Sequence, residues 1–156
     1  IKKLAVHDLY RLTELFEYNN VQQMIDECTR DIQNGRIDIF VLYEKDVLIG
    51  ELHVMYENDD ENFAVRDRRA YLFAFRVRKE YRNKGYGTRL LKTVLTRLKE
   101  DGYYEFTVGV EDDNSRAIHM YQAQGFTELL LRKQEEYQGD SYEYNLYLKR
   151  ESDTDL

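Results

Sequence analysis

Proline and tryptophan are absent from the 156 residues, and cysteine occurs once, at Cys28. The missing proline means that no turn relies on a ring-fixed φ. A lone cysteine excludes an intramolecular disulfide and any cysteine-rich zinc site, and with no oxidising compartment implied the cytoplasm is the default location. The three histidines, His7, His53 and His119, stand at no metal-ligand spacing, so no metal is expected. No apolar run approaches the about 18 residues of a spanning helix, and Ile1-Lys2-Lys3 opens no signal-peptide core, so a soluble chain with no membrane partner is expected. The chain starts at Ile1 rather than Met, which suggests trimming. With 30 acidic against 23 basic side chains the net charge is −7, which argues against general DNA or RNA binding.

Against that acidic background one stretch is cationic. From Arg76 to Lys92 there are seven basic residues (Arg76, Arg78, Lys79, Arg82, Lys84, Arg89, Lys92) and one acid, Glu80, a local +6 that leaves −13 for the rest. A cationic knot in an acidic protein suits a small polyanion better than a nucleic-acid track. Tyr71, Leu72, Phe73, Phe75 and Val77 read as a strand, and Leu90, Leu91, Val94, Leu95 and Leu98 recur at the spacing of a helix burying one face. Gly85 and Gly87 sit at the junction, where a missing Cβ permits a tight turn and close approach. The unpaired N–H groups and positive dipole end of the helix then favour phosphate. A Rossmann fingerprint would need glycine where Leu90 stands, and no Gly-Lys-Ser/Thr of a P-loop occurs.

The stretch Arg82-Asn83-Lys84-Gly85-Tyr86-Gly87 resembles the acetyl-CoA signature R/Q-x-x-G-x-G/A of the GNAT N-acetyltransferase superfamily. A second resemblance follows downstream: Asn114 to Tyr121, with Gly125-Phe126 after it, is similar to the family's N-x-x-A-x-x-x-Y signature. Two signatures in order, separated by a helix and a strand, are far more specific than either alone. The family-like elements cover roughly residues 36 to 149, and the first 35 residues agree in pattern only.

Read in order, Lys2 to Val6 is a short strand, and Asp8 is placed to cap a helix carrying Leu9, Leu12, Leu15 and Phe16. A second helix shows Val21, Met24, Ile25, Cys28 and Ile32 before a C′ glycine, Gly35. Ile37–Tyr43 and Val47–Tyr56 read as a hairpin in which Gly50 marks a bulge or bend, and Asn58 to Asn62 as an acidic loop. After the central strand and helix, Phe106–Val110 is a strand, a short helix closes at Gly125, and Phe126–Tyr137 with Tyr142–Leu148 forms a final hairpin around Gln138-Gly139-Asp140. The expected fold is α/β: one domain over residues 1–150, a mixed, partly antiparallel sheet of about seven strands flanked by about four helices, as in GNAT proteins. Residues 151–156 read as a frayed tail.

The resemblance implies acetyl transfer from acetyl-CoA to a primary amine by direct attack in a ternary complex. It places Phe75, Val77 and Lys79 along the pantetheine arm, with Val77 N–H as oxyanion donor, and Arg82, Asn83, Lys84, Gly85, Tyr86, Gly87 and Thr88 at the pyrophosphate. Asn114 becomes a pantetheine partner, a helix N-cap or both, and Tyr121 the general acid. A phenol near pKa 10 and a thiol near 8.5 make that transfer uphill by about 2 kcal/mol, so the site must lower the phenol's pKa or protonate sulfur while the bond is breaking. The general base departs from the family: where some members carry glutamate on the strand before the turn, this chain has Tyr71, and Lys79 stands where many have proline. Glu111 acting through water is the favoured base, with Glu51 and His53, which share a strand face, as alternatives. A small-molecule or peptide amine is the expected partner, with a homodimer left open. An acyl-CoA-binding regulatory domain and a plain nucleotide-phosphate binder are the competing readings.

Overall fold

The computed structural model describes residues 1–151; the expected tail beyond Glu151 lies outside the described residues. Its seven strands, β1 (Lys2–Lys3), β2 (Ile37–Glu44), β3 (Val47–Met55), β4 (Arg69–Val77), β5 (Glu105–Val110), β6 (Glu128–Tyr137) and β7 (Asp140–Arg150), form one sheet in the order β1-β2-β3-β4-β5-β7-β6. The described residues also hold three α-helices, α1 (Val21–Gln33), α2 (Tyr86–Glu100) and α3 (Ser115–Ala123), and a nine-residue 3-10 helix over Val6–Glu14. The β4–β5 pair is parallel and the pairs β1–β2, β2–β3, β5–β7 and β6–β7 are antiparallel, which is the mixed sheet expected.

Contacts gather into two compact units. The first comprises Ile1–Met55 and Phe73–Arg97, and the second Tyr56–Leu72 with the chain from Leu98 onward. In the first, Leu4, Leu9, Leu12, Met24, Ile37, Ile39, Val41 and Leu48 form one buried cluster, with Cys28 and Phe73 against its rim. Asp8 does not cap the opening helix. The segment winds as 3-10 from Val6, Ala5 holds the cap position, and Asp8 N–H bonds the Ala5 carbonyl at 3.0 Å. Three residues per turn still bring Leu9 and Leu12 to the same side, and both are fully buried. Asn20 caps α1, its side chain accepting from Gln23 N–H at 2.9 Å, and the helix ends at Gly35 with φ +71°.

Gly50 adjoins the expected bulge. Leu42 faces Gly50 but Tyr43 faces Leu48, so Ile49 is the extra residue, and its carbonyl accepts Arg78 N–H at 2.6 Å. In the second unit the β6–β7 hairpin turns through Gln138 and Gly139 at φ +54° and +86°, a two-residue turn with both central residues left-handed. Glu151, expected as the first frayed residue, is tied down: its N–H bonds Tyr104 O at 2.9 Å and its carboxylate meets Lys99 at 2.8 Å.

Candidate functional site

The sequence-predicted anion turn lies in the first unit. After β4 a short 3-10 turn over Lys79–Tyr81 leads to Arg82, Asn83 (φ +63°), Lys84 and Gly85 (φ +87°), and α2 begins with Arg89 N–H bonding Gly85 O at 3.0 Å. The first-turn N–H groups of Tyr86, Gly87 and Thr88 therefore have no partner within the helix ladder. Residues 82–85 are exposed. Gly85 is glycine for its backbone, at φ +87° with no protein atom within 4 Å of an added Cβ, whereas a Cβ at Gly87 would make only ordinary van der Waals contact with Val77 Cγ2 at 3.4 Å and Phe75 Cζ at 3.6 Å. At neither position does a protein atom make the close approach that the sequence assigns to both. Arg82 Nε donates to Val77 O at 2.9 Å, fixing the arginine beside the turn and engaging the carbonyl of the strand residue expected to line the cofactor arm.

β4 is not a plain strand. Ala74 sits in its middle at φ +49°, a conformation that L-residues seldom adopt and that the sequence does not announce. The parallel ladder with β5 runs from Arg69↔Glu105 to Leu72↔Val108, so Phe75 and Val77 lie past its registered pairs.

Glu51 and His53 share a face of β3, and both are buried, with His53 Nε2 2.6 Å from Glu51 Oε1. The sequence pointed to this pair by their spacing of two. It missed Arg76, whose Nη1 lies 3.5 Å from the same oxygen and whose guanidinium stacks over Phe16 at 3.9 Å, because the partner comes from another strand. Glu51 Oε2 is buried without a hydrogen-bond partner among the described residues. Cys28, partly buried and repelled by Asp31, Glu51 and Glu27, has its thiol pushed up to about 12, burial being the largest cause.

Tyr121, Glu111 and Asn114 belong to the second unit. Asn114 is the N-cap of α3, its side chain accepting from Ala117 N–H at 3.2 Å. Glu111 is exposed immediately after β5, its carbonyl accepting Asn114 N–H at 3.1 Å. Tyr121 is buried at 7 % exposure, edge-on to Phe126 with ring centroids 5.7 Å apart. Burial, with the Tyr71 phenol adding to it, pushes its hydroxyl well above the usual phenol range. Burial thus holds this proton more tightly than water does.

Tyr71 is packed edge-on to Phe63 at 4.9 Å and hydrogen-bonds Tyr144, whose hydroxyl donates to Glu135 Oε2 at 3.0 Å. Both phenols are pushed up, by burial first and then by neighbouring charge, so Tyr71 cannot stand in for a glutamate base at neutral pH. Sequence reasoning missed Tyr144 and Glu135. Their one signal was Gly109 inside a strand, the mark of a close approach. His7 and His119 are exposed, and no metal-binding cluster occurs among the described residues. No described helix is long and apolar enough to cross a membrane.

Comparison with curated protein sequences finds no match. Among solved structures, a ribosomal-protein-alanine N-acetyltransferase from Brucella melitensis superposes with a TM-score of 0.73 at 17 % identity, over 96 % of this chain and 98 % of that one. A PaiA N-acetyltransferase from Thermoplasma acidophilum, solved in complex with coenzyme A, gives 0.65 at 20 % identity over 96 % and 97 %. A spermidine N-acetyltransferase variant from Vibrio cholerae gives 0.71 at 17 % identity over 96 % and 93 %. At such identities these likenesses establish the fold. The Acetyltransferase (GNAT) family profile matches residues 4–126, most of the length, and the chain belongs to that family.

Proposed function

We propose that this protein is an N-acetyltransferase that moves the acetyl group of acetyl-CoA to a primary amine by direct attack within a ternary complex. The observation that carries the reading is the turn from β4 through Arg82–Gly85 into the N-terminus of α2. It presents first-turn N–H groups and a local +6 charge to a phosphate-rich ligand in an acidic protein. Asn83 to Thr88 would hold the pyrophosphate by backbone N–H, with Arg82 and Lys84 as charge partners, and Phe75 and Val77 would line the pantetheine arm. Acetyl-CoA supplies an activated thioester. Val77 N–H is the donor for the oxygen that gains charge as the amine attacks.

Tyr121 acts as the general acid. Its proton is held by burial, which supports transfer while the C–S bond is breaking rather than to a finished thiolate. Asn114 serves first as the α3 cap and so fixes the helix that carries Tyr121. Glu111, an exposed carboxylate at the end of β5, takes the amine proton through water. The acceptor is a cationic amine, a polyamine or a peptide amine, drawn by the net charge of −7. One unpaired thiol and the use of acetyl-CoA suit the cytoplasm.

The test is release of free thiol from acetyl-CoA against spermidine, an aminoglycoside and short peptides with free N-termini. Amine-dependent release is expected, with kcat/KM rising with pH to a plateau through an apparent pKa that Glu111→Gln alters. Tight acetyl-CoA binding with no release for any amine at any pH would make the chain an acyl-CoA-binding regulatory domain instead.

A further inference from the structure

Two arginines stand two residues apart where β4 ends, and their donors are used differently. Arg78 is committed: Nε donates to Leu48 O at 2.8 Å and Nη2 to Glu14 Oε1 at 2.7 Å. Arg76 is held without being used up. Its guanidinium stacks over Phe16 at 3.9 Å, in the segment that joins the 3-10 helix to α1, and Phe16 is braced edge-on by Tyr18 with ring centroids 4.8 Å apart. Nη1 makes the polar contacts, with Tyr18 Oη at 3.4 Å and Glu51 Oε1 at 3.5 Å, both at the outer limit of a hydrogen bond. Glu51 meets the guanidinium with one oxygen, its Oε2 taking no hydrogen bond among the described residues. This is not the two-pronged pair that arginine and a carboxylate form at full engagement. Among the described residues Nε and Nη2 of Arg76 donate to nothing, and the side chain is 24 % exposed.

We propose that Arg76 receives a carboxylate carried by the acceptor, which is then an amino acid, or a peptide with an acidic residue at its free amine, rather than a polyamine. The inference rests on the N-acetyltransferase reading and narrows its acceptor. A guanidinium offers Nε and Nη2 as parallel donors at the spacing of two carboxylate oxygens, and a stack that fixes its plane lowers the ordering cost of binding. The position suits such a ligand. Val77, whose N–H is the oxyanion donor in that reading, is the next residue, and its side chain turns the other way, with Cγ2 3.4 Å from where a Cβ at Gly87 would stand. An acceptor anchored on Arg76 therefore comes to the thioester from the Phe16–Tyr18 side of the strand, away from the helix that would hold the phosphates. The overall charge of −7 does not bar it, because exposed charges farther off than about 8 Å are largely screened and Arg76 lies in the one cationic stretch. Glu51, the acid beside it, is shared with His53 at 2.6 Å.

The experiment measures thiol release from acetyl-CoA with two matched pairs of amines and with spermidine. One pair is alanine against alaninamide, and the other is a short peptide amide beginning with glutamate against the same peptide beginning with glutamine. The parent is expected to favour the carboxylate member of at least one pair about tenfold or more in kcat/KM, chiefly through KM. Which pair shows the preference tells a free amino acid from an acidic peptide. Arg76→Lys keeps a charge beside Glu51 and loses the fork, so it should remove most of that preference by raising the KM of the carboxylate member more than that of the amide. Phe16→Leu keeps the fork and loses the ring that orients it, and should act in the same direction at smaller size. An arginine that only supports the fold would lower both members alike. If the parent releases thiol with spermidine but ranks neither carboxylate above its amide, or if Arg76→Lys and Phe16→Leu change both members of the favoured pair equally, the inference is wrong and the acetyltransferase reading stands. A parent silent with every amine overturns both.

Discussion

Two polar clusters, one in each unit, are built in opposite ways, although the second unit also buries an unlike pair, Arg69 and Glu105 at 3.2 Å. In the first, Glu51, His53 and Arg76 gather unlike groups, so that a buried carboxylate has a histidine at 2.6 Å and a guanidinium at 3.5 Å. In the second, Tyr71, Tyr121 and Tyr144 gather like groups, and burial keeps their protons on. The first arrangement uses mutual compensation to hold polar groups away from water. The second leaves neutral donors, the form in which a phenol can deliver a proton. Removing one member should therefore cost stability in the first unit and turnover in the second.

The comparison is broken most severely at Glu51. Glu51→Ala leaves His53 and Arg76 facing a void, and losing one partner of a buried pair typically costs about 3–5 kcal/mol. Urea denaturation should show that loss, and a change under about 1 kcal/mol would mean that the cluster is no more than tolerated. Next comes Gly85→Val, which forces a β-branched residue to φ +87° at a strain of about 1–3 kcal/mol. Stability should fall by that order and acetyl-CoA binding should be lost with it, as read by isothermal titration. Binding at parental affinity would remove the pyrophosphate from this turn. Asn114→Ala is milder: losing the α3 cap should cost about 1 kcal/mol, with kcat reduced more than acetyl-CoA affinity, because the cap orients the helix of Tyr121.

The smallest effect appears at alkaline pH. The three phenols have folded pKa values above their unfolded value of about 10, so the folded state retains protons that the unfolded state releases. Their contribution is complete below about pH 10 and is lost as pH rises towards the folded values. Unfolding free energy measured from pH 8 to 11 should fall more steeply from about pH 10, and Tyr121→Phe should flatten that steeper fall; an identical slope in the variant would mean that burial does not hold its proton. Cys28, its thiol pushed up to about 12, begins its own loss earlier, above its unfolded value of about 8.5.

Much of this was legible because glycine and asparagine act locally. Gly35, Gly85 and Gly125 all take positive φ where the sequence placed helix junctions, and Asn114 caps α3 as its position suggests. What was not legible depends on neighbours from other strands. Asp8 looked like a cap, but whether the first turn winds as 3-10 or α is decided by how Leu9 and Leu12 meet the core. Ala74 gave no warning of its φ of +49°, since alanine has no preference for that region. The spacing of Glu51 and His53 revealed their shared face, yet their arginine came from β4. Tyr144 and Glu135 were two polar residues in a long hairpin until cross-strand register set them beside Gly109.

The central claim is that Tyr121, buried and neutral, gives the departing sulfur its proton as the C–S bond breaks. The direct measurement is amine-dependent thiol release by Tyr121→Phe beside its acetyl-CoA affinity, since the substitution removes the hydroxyl and keeps the ring against Phe126. The account predicts turnover lower by about a hundredfold or more, with the dissociation constant for acetyl-CoA within about twofold of the parent. Parental turnover in that variant would contradict it, leaving Tyr121 a packing residue and water as the acid.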